Sequence, residues 1–181
     1  MRPTLYLMLS GMMVVGMVLA AFIPAATPAP TIGPRPAASY KDATYQIDGR
    51  SITLVNGISE TEATPHSASK IVTRYFGNDA IGDLNGDGKE DIAFLLTQNG
   101  GGTGTFYYVV VALHTATGYL GTNAVFLGDR IAPQTTHIEN GTVVVNYAKR
   151  KPGESFAVKP SVGVSNYLKV IDGKLVEVYK K

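Results

Sequence analysis

Residues 83–91 concentrate oxygen-bearing side chains in the sequence DLNGDGKED. Asp83, Asn85 and Asp87 alternate along this stretch, and Asp91 closes it. Alternating oxygens at loop positions 1, 3 and 5, with a main-chain carbonyl at position 7, allow a short curved backbone to surround a hard divalent cation. Position 7 is Lys89, whose side chain we expect to point into solvent. These residues predict a metal loop, which we call the acidic loop.

The two glycines and the donor type of the acidic loop indicate which ion it would hold. Gly86 and Gly88 provide the positive φ angles that a tightly coiling backbone needs. Calcium takes roughly six to eight oxygen ligands, whereas magnesium requires a tighter octahedron and keeps several waters. Zinc favours nitrogen and sulfur ligands, and residues 83–91 contain neither His nor Cys. The predicted ion is therefore calcium.

A turn that binds no ion is the alternative, because Asn-Gly and Asp-Gly are turn-forming dipeptides on their own. Electrostatics favour the cation. The four carboxylates of Asp83, Asp87, Glu90 and Asp91, set against the single charge of Lys89, leave three net negative charges in nine residues. These charges would repel one another unless a cation lay between them.

The elements that flank the acidic loop read as strands. Residues 70–76 are rich in β-branched and aromatic side chains, which favours a strand before the loop. After the loop, Ile92, Phe94 and Leu96 fall on one face of a strand, and Ala93 and Leu95 fall on the other. We expect this second strand to be buried on both faces.

The same period of two continues through the rest of the chain. Hairpin turns are predicted at Asp48-Gly49, Asn140-Gly141 and Asp172-Gly173. Further strands are predicted at residues 44–48, 51–55, 106–113, 124–127, 136–138, 142–147, 167–171 and 175–179. The sequence predicts a mainly β fold, either an antiparallel β-sandwich or an open barrel of about 8–10 short strands, with the acidic loop between two of them.

The N-terminal region differs from this β-rich part in composition. Residues 1–23 hold one charge, at Arg2, and an apolar run, which predicts a signal peptide or an N-terminal membrane anchor. Residues 24–39 form a Pro/Ala/Thr-rich linker, and residues 40–181 form a single β-rich domain. We expect that domain to be exported, facing outside the cytoplasm if anchored, or periplasmic or extracellular if the leader is cleaved. The chain has no Cys, so it has no lipobox and no disulfides.

Charge excludes one class of partner. All fourteen acidic residues follow position 40, and of the sixteen basic residues only Arg2 and Arg35 precede it. The predicted domain therefore has fourteen charges of each sign and no net charge. The pI of about 8.7 is thus no argument for nucleic acid.

Phe76-Gly77, followed by residues 82–92, resembles the calcium-loop segment of FG-GAP and VCBS-type repeats, and the first half of dockerin loops is similar. The resemblance covers about seventeen residues and implies calcium ligation by the side chains of Asp83, Asn85, Asp87 and Asp91 and by the main chain of Lys89. It does not imply a propeller, because the chain has one copy and no period of about 40–60 residues. The domain also looks like small exported bacterial domains of unknown function.

Other chemistry has weaker support in the sequence. No G-x-S-x-G elbow and no Cys nucleophile accompany the histidines, which read as surface or turn residues, although His114 could act as a general base. A carboxylate pair for sugar hydrolysis stays open as an alternative. The histidines are His66, His114 and His137, and the residues that could supply the carboxylate pair are Glu60, Glu62 and Glu90. We predict no catalytic residue.

The main hypothesis is an exported or membrane-anchored bacterial β-domain of unknown biological role that binds one structural calcium ion. The alternative is a module that binds an envelope polymer or a partner protein, and a hydrolase is less favoured. Residues 100–105, which are glycine-rich, and the basic turn Lys149-Arg150-Lys151 are the surfaces that could serve such a module. The ten tyrosines read as packing residues rather than as a sugar-stacking platform.

Overall fold

The computed structural model describes residues 35–181. The leader predicted at residues 1–23, and the linker as far as residue 34, lie outside the described residues. Ala37, near the end of the predicted linker, exchanges two backbone hydrogen bonds with Tyr119, at 2.9 and 2.7 Å. In the described range, no helix is long and apolar enough to cross a membrane.

Regular structure in residues 35–181 consists of twelve strands after one short 3₁₀ helix, Tyr40–Asp42. The strands are β1 (Thr44–Ile47), β2 (Arg50–Thr53), β3 (Ile58–Glu62), β4 (Lys70–Gly82), β5 (Asp91–Asn99), β6 (Phe106–Thr115), β7 (Gly118–Gly121), β8 (Val125–Asp129), β9 (Ala132–Glu139), β10 (Thr142–Lys149), β11 (Val162–Ile171) and β12 (Lys174–Lys180). The prediction of a mainly β fold is confirmed.

The strands form three antiparallel sheets. A central sheet of six strands has the order β3-β4-β5-β6-β7, and β8 pairs with the half of β6 that β7 leaves open. A second sheet has the order β12-β11-β10-β9, and β1 and β2 form a third sheet of two strands. The arrangement is sandwich-like, and the sheets of the described residues do not close into a barrel.

The central strands β5 and β6 are buried on both faces, as predicted for β5. Because side chains alternate along a strand, these two strands supply two separate cores. Ala93, Leu95, Val109 and Val111 pack against the four-stranded sheet. Residues of the opposite face pack beneath the β1–β2 hairpin, namely Ile92, Phe94, Leu96, Tyr108, Val110 and Ala112.

Three of the tight turns match the predicted hairpins. Asp48 and Gly49 have φ angles of 49° and 77° between β1 and β2. The dipeptides Asn140-Gly141 and Asp172-Gly173 show the same pair of positive angles. Two successive positive φ angles belong to the type I′ turn, whose twist matches that of the flanking strands.

The structure has more strands than the eight to ten expected, because β3 and β7 were not predicted. β3 has the sequence ISETE and is an edge strand that pairs only with β4 and exposes most of its side chains. β7 is four residues long and includes Gly118 and Gly121. Neither strand carries the apolar alternation that reveals a strand in sequence.

Candidate metal centre

The acidic loop connects β4 to β5. These strands stay paired up to Gly82 and Asp91, so residues 83–90 form the end of a hairpin. β4 was expected to end near Phe76, but it runs six residues further, through irregular pairing around Gly77 and Asn78, where φ is 105° and 64°. The loop is therefore held at the tip of two long strands rather than in an open connection.

Asp83 organises the first half of the loop. Its Oδ1 accepts the backbone N–H of Gly86 at 2.7 Å and that of Asn85 at 3.3 Å, and its Oδ2 accepts the N–H of Gly88 at 2.9 Å. These amides, of which that of Gly88 has the largest effect, hold the pKa of the Asp83 carboxyl below its usual range. The backbone thus curls around an exposed, ionised carboxylate.

Asn85 and Asp87 repeat the pattern one step further along. Asn85 Oδ1 accepts the N–H of Asp87, and Asp87 Oδ1 accepts the N–H of Lys89, each at 2.9 Å. Gly86 and Gly88, which flank Asp87, have φ angles of 80° and 79°, with open space where a Cβ would lie. Glycine is needed here for backbone conformation and not for close packing.

Lys89 differs in part from expectation. Its Nζ lies 3.6 Å from Asp87 Oδ2, with 43% of the side chain exposed. The side chain was expected to extend freely into solvent, and it pairs instead with a carboxylate of its own loop, the nearest strong negative charge. An exposed pair of this kind contributes little to stability, about 0–1 kcal/mol.

Asp91, the last predicted ligand, is fully buried at the start of β5. Its Oδ2 accepts the N–H of Leu84 at 3.0 Å, and its Oδ1 accepts the N–H of His114 at 2.8 Å. Burial raises the pKa of this carboxyl, the amides of His114 and Leu84 oppose the rise, and the charges of Asp87 and Asp83 add to it. Asp91 therefore joins the loop, β5 and the end of β6.

The donors of the loop fit a hard cation in type. Asp83, Asp87 and Asp91 offer carboxylate oxygens, Asn85 an amide oxygen and Lys89 a carbonyl, and no nitrogen or sulfur donor is present. Nowhere in residues 35–181 do three or more His, Cys, Asp or Glu side chains converge in a metal-holding arrangement. The side-chain oxygens of Asp83 and Asp91 and the Oδ1 atoms of Asn85 and Asp87 accept backbone amides instead. An oxygen has two lone pairs, so Asp83 Oδ2, Asn85 Oδ1 and Asp87 Oδ1, which each accept one amide, keep capacity for a cation.

No family model, curated protein or solved structure matches the chain.

The residues considered for catalysis do not converge. The His114 ring stacks on Tyr119 with 5.0 Å between ring centroids, and its backbone N–H is bound by Asp91. Glu60 pairs with Lys70 at 3.2 Å, and Glu62 accepts the backbone N–H of His66 at 2.9 Å. Each group has a local role in a strand, a turn or a strand pair.

The basic turn is more structural than its sequence indicates. Arg150 donates to the carbonyl oxygens of Arg130, Phe156 and Val158, and its guanidinium lies 5.4 Å from the Phe156 ring. It therefore organises the connection from β10 to β11, and it is less exposed than Lys149 and Lys151.

Sequence reasoning missed the partners of Asp91. The N–H of His114 lies 23 residues away, at the end of β6, and becomes available only through the β5–β6 register. A carboxylate directly before a strand of continuous apolar residues was the one available signal, since burial there requires hydrogen-bond donors.

Proposed function

We propose that the acidic loop binds one calcium ion that stabilises the end of the β4–β5 hairpin. The observation that carries the proposal is the loop's backbone course. It turns at two positive-φ glycines and carries oxygen-bearing side chains at Asp83, Asn85 and Asp87 on its exposed surface. Calcium accepts irregular oxygen cages with six to eight ligands, so waters can complete a set supplied by one loop.

Charge gives the ion a physical effect. The loop gathers the carboxylates of Asp83, Asp87, Glu90 and Asp91, which only Lys89 offsets locally. A divalent cation removes most of that repulsion. Extracellular calcium modules bind at about 10⁻⁴ to 10⁻³ M, and an ion at about ten times its dissociation constant stabilises the folded state by about 1.4 kcal/mol.

The setting belongs to the same proposal. We infer from the apolar residues 1–23 that the β-domain is exported, either anchored or released, where calcium is abundant enough to fill a weak site. A chain without Cys has no disulfide to stabilise it outside the cytoplasm. A bound ion therefore supplies stabilisation that other exported domains obtain from cross-links.

Calorimetric titration of the full chain with calcium chloride tests the proposal. The expected result is one ion per chain, with magnesium weaker, because magnesium requires a tight octahedron and keeps several of its waters. Asp87→Ala should abolish binding, since it removes a donor from the middle of the loop.

Glu90→Ala is the matched control, because it removes the same charge from the same loop without removing a proposed ligand. It should leave calcium affinity within about threefold, the effect of a screened neighbouring charge. Equal losses in Asp87→Ala and Glu90→Ala, or no heat with wild type, would contradict a defined site.

A further inference from the structure

A groove lies beside the tip of the β1–β2 hairpin, on the face of the central sheet that this hairpin partly covers. It has two lobes of about 270 and 390 Å³, and Asp48 and Gln98 line both of them. These volumes fall near the lower end of the range for small-molecule sites, about 300–1,000 Å³. We call this feature the hairpin groove.

The groove exists because the hairpin is shorter than the strands beneath it. Leu96 of β5 and Tyr108 of β6 are paired and buried under the hairpin. Gln98 and Phe106, the next pair on that same face, lie beyond the hairpin tip. Beyond the hairpin tip, this face of the central sheet is therefore no longer covered by the hairpin across β4, β5, β6 and β8.

The larger lobe has an aromatic wall. Phe126 is 49% exposed and Phe106 is 37% exposed. The Phe126 ring centroid lies 5.3 Å from that of Tyr108 and 6.3 Å from that of Phe106. Large apolar side chains that stay exposed together on a sheet face are typical of binding surfaces.

The smaller lobe adds polar groups with unused hydrogen-bonding capacity. Asp48 Oδ2 accepts the hydroxyl of Tyr108 at 2.9 Å, and Gln98 Nε2 donates to Thr73 at 3.1 Å. Within residues 35–181, the other Asp48 oxygen, the Gln98 carbonyl and the Arg50 guanidinium have no side-chain hydrogen bond or ion pair. Strong acceptors and a strong donor therefore face one groove beside apolar rings.

We propose that the hairpin groove binds a glycan chain. Sugar hydroxyls both donate and accept, so they satisfy Asp48 and Gln98 as well as Arg50, while the C–H face of a sugar ring packs on Phe126 and Phe106. A proline-rich peptide, the other common ligand of aromatic grooves, offers mainly carbonyl acceptors and would leave the Asp48 carboxylate unsatisfied. The proposal does not depend on calcium in the acidic loop.

Sedimentation with insoluble cellulose, chitin and peptidoglycan tests the proposal. The full chain is kept in dodecylphosphocholine, a detergent without a sugar headgroup, with calcium at about 1 mM so that the acidic loop is treated alike in every sample. Wild type should be retained on at least one polymer. Phe126→Ala should weaken retention about tenfold, the effect expected of a central aromatic contact.

Arg50→Gln provides a second test in which folding is not at issue, because Arg50 is exposed. This substitution should weaken retention severalfold, because hydrogen bonds from the guanidinium to the glycan are lost. Tyr179→Ala is the matched control, since Tyr179 is a 57% exposed aromatic on the other sheet, and it should bind as wild type does. Retention on none of the polymers overturns the proposal. It is also overturned if Phe126→Ala and Arg50→Gln both stay within about twofold of wild type, or if labelled hexaproline binds and these substitutions abolish that binding.

Discussion

Asp91 is the residue on which the β4–β5–β6 end of the domain depends. A buried carboxylate is costly unless hydrogen bonds replace its water, and here the amides of Leu84 and His114 do so. Both amides are backbone groups, so neither can turn away if the carboxylate is removed. Asp91 thus has a structural task whether or not it also touches an ion.

Replacing Asp91 with Ala should therefore destabilise the domain strongly. Two backbone donors lose their acceptor, each at a cost of about 1–3 kcal/mol, so we expect the free energy of unfolding to fall by about 3 kcal/mol in urea titrations made in chelator. The exposed neighbour substitution Glu90→Ala should change it by less than about 0.5 kcal/mol. Equal, small effects of the two would contradict the buried role of Asp91.

Asp129 gives the domain a pH dependence of known sign. Its carboxylate accepts a hydrogen bond from the Arg130 guanidinium at 2.6 Å and another from the N–H of Thr105 at 2.9 Å. The hydrogen bond from Arg130 is the main reason that the pKa of Asp129 lies below its ordinary value. A lowered folded-state pKa means that the stabilisation is complete above the unfolded pKa, near 4, and is lost as pH falls through the folded pKa.

Asp129→Asn should accordingly be less stable than wild type by about 1 kcal/mol or less at pH 7, and the difference should shrink below about pH 4. Urea midpoints measured at about pH 3, 5 and 7 would show it. A difference that grows on acidification would have the wrong sign for this ion pair.

At the scale of elements, the hairpins were predictable because their information is local. Asp48-Gly49, Asn140-Gly141 and Asp172-Gly173 encode their turns in two residues, and the strands on either side alternate visibly. β3 and β7 were missed because pairing with a neighbour, and not apolar character, makes them strands. The candidate site is also only partly predictable from sequence. The spacing of oxygen-bearing residues in the acidic loop is visible locally, whereas one of the hydrogen bonds that hold Asp91 comes from β6.

The hairpin groove was equally invisible in sequence. Asp48 reads as a turn residue, and its contact with Tyr108 spans 60 positions. Phe106 and Phe126 read as strand residues, and only the length of the β1–β2 hairpin decides that they emerge from cover. A partly covered sheet face is a property of two elements together, which no local pattern reports.

Close packing of the β1–β2 hairpin on β7 predicts an intolerant glycine. A Cβ at Gly121 would lie 2.3 Å from Thr44 O and 2.6 Å from a Tyr45 ring carbon, whereas a Cβ at Gly163 meets nothing within 4 Å. Gly121→Ala should cost about 1–3 kcal/mol in urea unfolding, because backbone must move to admit the methyl group. Gly163→Ala, the matched control, should be nearly neutral, and similar costs would contradict the packing.

At the scale of the whole molecule, β5 and β6 carry two cores at once. Both hydrophobic cores in residues 35–181 therefore include side chains of this one strand pair. The acidic loop connects β4 to β5, and Asp91 at the start of β5 also accepts a hydrogen bond from the end of β6. An ion bound there would secure both central strands, in a chain that has no disulfide.

Thermal unfolding of the full chain, followed by circular dichroism in calcium and in chelator, tests the calcium proposal most directly. With calcium at about ten times its dissociation constant, the account predicts a midpoint higher by about 4 °C in wild type, equivalent to about 1.4 kcal/mol for a domain of this size. Asp87→Ala should show no such shift, and Glu90→Ala should retain it. Identical wild-type midpoints in calcium and in chelator would contradict the account.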